Sequence, residues 1–216
     1  MKLSTNEDLS NKLDEDLAWR KKELTFVMGN LRGASSEQIK LYFLRIAVTL
    51  LYAHWEGYIK NSTIFYLNYI KQKRLNLCDL KINLLTLAIN NEISKYTQSK
   101  KISLRSTLVN ILTENLEIEA SIPDKKAVST QSNLKFEVLK EFVFVLGLDF
   151  TPFELKQRLI DANLLKIRND VSHGNYMPID EDDFLYCYSE VVKLLENFKE
   201  QIINSAINKN YLKVTI

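Results

Sequence analysis

A long apolar stretch with helical periodicity constrains the fold of this chain more than any other feature. Residues 41–53 contain a single charged side chain, Arg45. The stretch is too short and too interrupted to cross a membrane, so we predict a central, buried helix that begins at Ser35 and Gln38 and ends at residues 71–74. The chain has only 5 glycines and 3 prolines in 216 residues, which favours long helices over a turn-rich β fold.

Apolar residues at spacings of three and four predict further helices around this segment. They cover residues 5–31, 79–96, 103–116, 133–146, a stretch from Thr151 to the histidine at position 173, and a last helix from Asp180. Thr5 and Asp8 form a capping box, Asn133 caps its helix, and the charged side chains of the first helix, Asp16 and Arg20 included, are expected to face solvent.

The predicted fold is therefore all-α, an antiparallel helical bundle in a single domain over residues 1–216. Residues 1–33 form an N-terminal helical arm, and residues 208–216 form a tail that frays or makes a short strand. Residues 119–133 show no periodicity and are expected to be a mobile loop.

Charge and cysteine content limit the class of protein. Hydrophobic residues make up 46% of the chain and the net charge is only +2, so the chain is globular and any basic surface must be local. Cys78 and Cys187 lack metal-ligand spacing and are expected to be reduced core thiols of a cytoplasmic protein. The N-terminus shows no apolar signal segment, and we expect no metal, no cofactor and no membrane association.

The stretch Arg-Asn-Asp-Val-Ser-His-Gly at residues 168–174 concentrates the residues that carry chemistry. Asp161 is expected to cap its helix, with Leu164, Ile167 and Val171 facing the core, and Gly174 suits the left-handed position that ends a helix. A guanidinium binds phosphate through two hydrogen bonds, and an imidazole exchanges a proton near neutral pH. Together they suffice to cleave RNA through its own 2′-hydroxyl. From composition alone, such a pair is more commonly a helix cap.

The pattern Arg168-Asn169-x-x-x-His173-Gly174, near the end of a helical chain, resembles the signature of HEPN domains (higher eukaryotes and prokaryotes nucleotide-binding). The upstream stretch LYAHWEGYIK at residues 51–60 is similar to MAE-type bacterial HEPN proteins, and the resemblance covers residues 35–205. Many HEPN proteins are metal-independent ribonucleases of toxin–antitoxin, abortive-infection and other defence systems. Others bind only nucleotides or partner proteins.

The resemblance implies roles for particular residues. His173 would be the general base or acid, Arg168 would stabilise the charge of the phosphorane, and Asn169 would orient one of them. Supporting roles fall to Ser172, Asp170, His54 and Glu56. A weaker set of RNA contacts comprises Lys71, Lys73, Arg74, Lys100 and Lys101. The alternatives are that His54 is a satisfied core histidine, that Glu56 pairs with Lys60, and that the basic residues favour helix dipoles.

The expected function is thus that of an endoribonuclease acting on RNA as a homodimer with a composite site, with an antitoxin or other defence protein as partner. The alternatives are a non-catalytic HEPN module that binds a nucleotide or a protein, and a structural helical bundle. Some HEPN toxins carry, two residues after the histidine, a tyrosine that a partner nucleotidyltransferase modifies. Asn175 holds that position here and Tyr176 follows, which argues against silencing by that route.

Overall fold

A computed structural model describes residues 3–98, 101–123 and 133–213, and within these ranges the regular elements are helices. This confirms the all-α prediction. The helices are α1 (Asn6–Arg32), α2 (Glu37–Lys71), α3 (Ile82–Ala88), α4 (Asn90–Thr97), α5 (Ile102–Thr113), α6 (Phe136–Leu146), α7 (Ile167–Ser172) and α8 (Glu181–Ile207). Short 3₁₀ segments cover Leu77–Asp79 and Thr151–Lys156, and a π-helix covers Leu159–Lys166.

Helix α2 lies at the centre of the molecule and packs against α1, α6, α7 and α8. Leu51, Trp55 and Ile59 on this helix are fully buried. The prediction that the whole stretch 41–53 is buried is wrong on one face, because Tyr42 and Ile46 are each 54% exposed. None of the helices in the described ranges is both long and apolar enough to cross a bilayer.

Several predicted helix ends are confirmed, since local capping chemistry fixes them. Thr5 and Asp8 form the capping box of α1, and the Asp180 carboxylate accepts the Asp183 backbone N–H at the start of α8. Gly147 ends α6 in the left-handed conformation, with φ 67°. At α2, however, Ser36 and not Ser35 is the N-cap.

Other predicted boundaries are wrong. The stretch 79–96 is divided at Ile89, where Asn90 and Asn91 follow, and asparagine side chains compete with the backbone of a continuous helix. The start at Thr151 is a 3₁₀ segment. Asn133 does not cap α6, because the backbone N–H of Phe136 donates to the carboxylate of Asp161 at 2.9 Å. Asp161 therefore caps α6. The prediction that it caps its own helix is wrong.

The predicted loop and the C-terminal tail are described only in part, and the two cysteines differ in burial. Residues 124–132 of the predicted loop lie outside the described residues, and Glu119 before them forms an isolated bridge with Asn76. In the tail, Leu212 forms a bridge with Leu80, and residues 214–216 lie outside the description. Cys187 is buried as predicted, whereas Cys78 is only partly buried.

A buried ion pair within α1 packs against α2 and corrects the expectation that the charges of the first helix all face solvent. The Arg20 side chain is 6% exposed, and its Nε lies 2.9 Å from Asp16 Oδ2. Its guanidinium lies against Gly57, where an added Cβ would stand 2.7 Å from Arg20 Nη1. The absence of a side chain at position 57 therefore lets the arginine of α1 lie flat on α2.

We expect Gly57→Ala to lower the free energy of unfolding by about 1–3 kcal/mol, because the new methyl group displaces a buried guanidinium from its carboxylate. Gly29→Ala in α1 is the matched control, because a Cβ there meets nothing within 4 Å. Alanine is the better helix former, so this control should gain up to about 1 kcal/mol. Urea denaturation of both variants measures the difference, and equal effects would contradict the close packing at Gly57.

Candidate active site

The motif helix α7 is short and is held from the core side. The π-helix Leu159–Lys166 leads directly into it, with Leu164 fully buried. Ile167 and Val171 pack against the core as partly buried residues, so the predicted apolar stripe of this helix is confirmed. Arg168 and Asn169 lie in its first turn, on the neighbouring arc.

Gly174 ends α7 in the way the sequence predicts. Its φ is 78°, its N–H bonds to Val171 O at 3.1 Å, and the N–H of Asn175 bonds to Asp170 O at 2.9 Å. This pair of hydrogen bonds is the Schellman motif. His173 is consequently the C-cap residue, and it is exposed. Arg45 of α2 donates to the carbonyl of Asn175 at 3.1 Å and fixes the chain beyond the glycine.

The Arg168 guanidinium lies between α7 and α2 and contacts three groups. Its Cζ is 4.1 Å from the centre of the Tyr52 ring, and its Nη1 donates to Asn169 Oδ1 at 2.7 Å. Its Nη2 lies 3.7 Å from Glu56 Oε2, which is an ion pair longer than a hydrogen bond. The structure thus brings together Arg168, Asn169 and Glu56, and the amide oxygen of Asn169 accepts a hydrogen bond from the guanidinium.

Among the described residues, Glu56 lies near the cations of Lys60 and Arg168. Its Oε1 lies 2.6 Å from Lys60 Nζ, which confirms the pair expected from their spacing. The phenol of Tyr52, one turn away on α2, has its pKa raised by burial and further by the charge of Glu56 and a hydrogen bond to it. The Tyr52 hydroxyl therefore stays protonated and donates to the carboxylate.

His54 lies elsewhere, on the face of α2 that packs against α1. Its Nδ1 is 3.4 Å from Arg20 Nη1, and its Nε2 is 2.9 Å from Glu23 Oε2. Because a guanidinium can only donate, Nδ1 accepts and Nε2 carries the proton. The structure therefore places His54 in the core, between Arg20 and Glu23, and does not bring it to Arg168.

The remaining predicted residues divide into near and distant ones. Asp170 accepts from Asn175 Nδ2 at 3.3 Å, and Ser172 is exposed beside His173. The basic residues at the end of α2 lie apart from the motif, because 15 positions of helix separate Glu56 from Lys71, or about 22 Å. Among the weaker RNA-contact residues, Lys73 donates to Ser4 O at 2.9 Å, Arg74 is exposed, Lys101 precedes α5, and Lys100 lies outside the described residues.

Sequence reasoning missed Tyr52, whose ring lies under the Arg168 guanidinium. The available signal was its position four residues before Glu56, on the same face of the helix. Within the described part of the chain, no group of three or more His, Cys, Asp or Glu side chains is arranged to hold a metal ion.

The surroundings of His54 predict a pH dependence of stability. Burial, and then the charge of Arg20, lower its pKa from the ordinary 6.5, against the opposing effect of Glu23 and Asp16. As the pH drops below about 6.5, His54 becomes protonated in the unfolded chain but stays neutral in the folded chain. The free energy of unfolding therefore falls.

We expect His54→Gln, whose amide can still accept from Arg20, to lose less stability than the wild type between pH 7.5 and 5.5. Urea denaturation at both pH values measures the two losses, and carboxylates common to both proteins cancel in the comparison. Equal losses would show that His54 is not the responsible group.

In a comparison with family models, the chain matches RiboL-PSP-HEPN over residues 15–204. It begins within α1, earlier than the expected residue 35, and it includes both the α2 stretch and the motif of α7. No curated protein and no solved structure gives a significant match. The narrower likeness to MAE-type proteins remains a resemblance. Because the match covers most of its length, the chain belongs to the RiboL-PSP-HEPN family of the HEPN superfamily.

Proposed function

We propose that this protein is an endoribonuclease that cleaves RNA by attack of the substrate's own 2′-hydroxyl, without a metal ion. The observation that carries the proposal is the environment of Arg168. The guanidinium is oriented by an amide and an aromatic ring, its side chain remains 24% exposed, and His173 stands exposed at the end of the same helix.

The reaction needs only proton transfer and charge stabilisation. A base removes the 2′-hydroxyl proton, the oxygen attacks the adjacent phosphorus, and the bond to the 5′-oxygen breaks as that oxygen takes a proton from an acid. The products carry a 2′,3′-cyclic phosphate and a 5′-hydroxyl. His173 acts as base or acid, and Arg168 stabilises the negative charge of the phosphorane.

We propose a homodimer with a composite site, because one α7 helix cannot close both groups around one phosphate. His173 is five positions after Arg168, so the two side chains point roughly 140° apart. Two motif helices related by a two-fold axis would supply two arginines and two histidines to a shared cleft, and a self-complementary contact is the commonest oligomer symmetry.

An exposed apolar face next to α7 supports this arrangement. A shallow groove of about 530 Å³ runs along α2 and reaches Val171 of α7; its α2 lining is Tyr42, Arg45, Ile46, Thr49, Leu50 and Ala53. Contiguous exposed apolar residues mark interaction sites more often than scattered ones do. A second copy seated on this groove would place its α7 beside the first, which the composite site requires.

Two Arg168 side chains near an axis repel each other, and the charge of Glu56 offsets part of this cost. Asp170 is less suited to that role because its carboxylate is engaged by Asn175. A cleft that is positive before RNA enters attracts a polyanion even though the whole chain carries only +2.

The proposed cellular setting is a toxin–antitoxin or phage-defence system, with RNA as substrate and an antitoxin or other defence protein as partner. A ribonuclease without narrow substrate choice harms its host unless it is restrained. The alternative is a HEPN module that binds a nucleotide or a protein without catalysis, and the following variants separate the two.

We expect the purified protein to cut RNA in EDTA and His173→Ala to cut at least about 10²-fold more slowly, because an imidazole general catalyst contributes about 10²–10⁴. Arg168→Lys should also fail, since an ammonium cannot reproduce the bidentate grip on phosphate. Arg158→Lys is the matched control, because Arg158 is exposed and lies just before the π-helix. Gel analysis of the products and their end groups measures the effect.

Cleavage that survives in His173→Ala would remove this histidine from the mechanism. The same variants address the cellular setting, because expression of the wild type should slow bacterial growth and His173→Ala should relieve it. Equal growth of both strains would favour the non-catalytic module.

We expect light scattering to give about twice the 25.2 kDa chain mass. Ile46→Glu should yield monomers and abolish cleavage, because a carboxylate in an apolar contact is left without a partner. Ile207→Glu is the control, since Ile207 on α8 is 55% exposed and Ile46 is 54% exposed. A monomeric wild type that cuts RNA, or a dimer with the two motifs on opposite faces, would contradict the composite site.

A further inference from the structure

The ring of Tyr52, which is not part of the motif, lies against the guanidinium of Arg168. The largest group in contact with its guanidinium is the ring of Tyr52, at 4.1 Å, and Tyr52 is only 1% exposed. A guanidinium attracted to the face of an aromatic ring is held by its own flat face. Its N–H bonds lie in the plane of the group, so this contact uses none of the five donors.

The Tyr52 ring is itself fixed at its far end. Its hydroxyl accepts the backbone N–H of Leu134 at 2.8 Å, and Leu134 is fully buried. Two residues later, the N–H of Phe136 bonds to Asp161 in the π-helix that leads into α7. The ring is therefore held by α2 and by the segment before α6, and that segment is tied to the helix that carries Arg168.

Glu56, by contrast, is poorly placed to fix the orientation of the arginine. It lies 3.7 Å from Arg168 but 2.6 Å from Lys60. A bidentate carboxylate would occupy the same N–H edge that a phosphate needs. Because Glu56 is engaged more closely by Lys60, Arg168 keeps both its charge and most of its donors.

We propose that Tyr52 is a positioning residue: its ring fixes the plane of the Arg168 guanidinium so that the N–H edge faces a phosphate. The inference rests on the proposed function for the reaction that follows, but the contact itself can be tested without it. The ring provides the orientation, and the hydroxyl anchors the ring. Tyr52 acts only through Arg168 and need not touch the substrate.

The first measurement is the Nε–Hε resonance of Arg168 in a ¹H–¹⁵N spectrum, assigned by its loss in Arg168→Lys. The ring current of Tyr52 should shift this proton upfield in the wild type and in Tyr52→Phe, which keeps the ring. Tyr52→Leu should move it to the position of a solvated arginine. Tyr66→Leu should not, although Tyr66 lies on the same helix, is also fully buried and has its hydroxyl bonded to Ser205 at 2.7 Å.

The second measurement is steady-state RNA cleavage by the same full-length variants at a temperature where all are folded. Misplacing a catalytic group by about 1 Å costs about 10²-fold, so Tyr52→Leu should lower kcat by about that factor. KM should change little, because the arginine charge remains. Tyr52→Phe should retain most of the kcat, and Tyr66→Leu should report any general loosening of α2.

The proposal is overturned if the Arg168 resonance is the same in Tyr52→Leu and the wild type. It is also overturned if that resonance moves while kcat does not, or if Tyr66→Leu lowers kcat as much as Tyr52→Leu. A wild type that cuts no RNA would instead defeat the proposed function. The Arg168 resonance alone would then decide whether Tyr52 orients the arginine.

Discussion

The packing of other helices around α2 is the interaction on which the rest of the structure depends. Helix α1 covers one face, α7 lies against a second, and a third is left to solvent beside the motif. Each face carries its own residues at spacings of three and four. The face toward α1 carries His54, Gly57 and Asn61. The face toward α7 carries Tyr52, Glu56 and Lys60. The face toward solvent carries Tyr42, Ile46 and Ala53.

Two arginines meet α2 in different ways, one buried and paired, the other partly exposed. The Arg20 side chain is 6% exposed and spends its donors on Asp16 and His54. A buried charge of this kind is tolerated only when it is paired. The Arg168 side chain is 24% exposed, meets Glu56 only at 3.7 Å, and rests on an aromatic face. Arg20 joins two helices, whereas Arg168 keeps the exposure that its proposed role requires.

Periodicity and capping chemistry, which are local properties, allowed much of the fold to be predicted from the sequence. They placed α1, α2 and α8 and the left-handed glycine after His173. What the sequence could not give depends on contacts between distant residues. His54 and Glu56 are two positions apart on one helix and point about 200° apart, so only one can face α7. The neighbouring sequence does not decide which of the two faces α7, because both have polar neighbours.

The same limit explains the other errors. Asp161 has the appearance of a helix cap in its own segment, but the N–H group that it satisfies belongs to Phe136, 25 residues earlier. Asp16 and Arg20 follow the spacing of a solvated pair and are buried because Gly57 provides room for them. The sequence does not distinguish Tyr52 from the other aromatic residues of α2, and only the path of α7 across α2 brings it against Arg168.

The π-helix at Leu159–Lys166 has a mechanical consequence for the motif. A π turn holds more residues than an α turn, and π turns occur frequently at functional sites. If this widened segment were to become α-helical by one residue, everything after it would advance about 1.5 Å and rotate by roughly 100°. Arg168 would then leave the Tyr52 ring, and Val171 would leave the core. The angular setting of the motif helix is thus a property of the segment before it, held in place by the bond from Phe136 to Asp161.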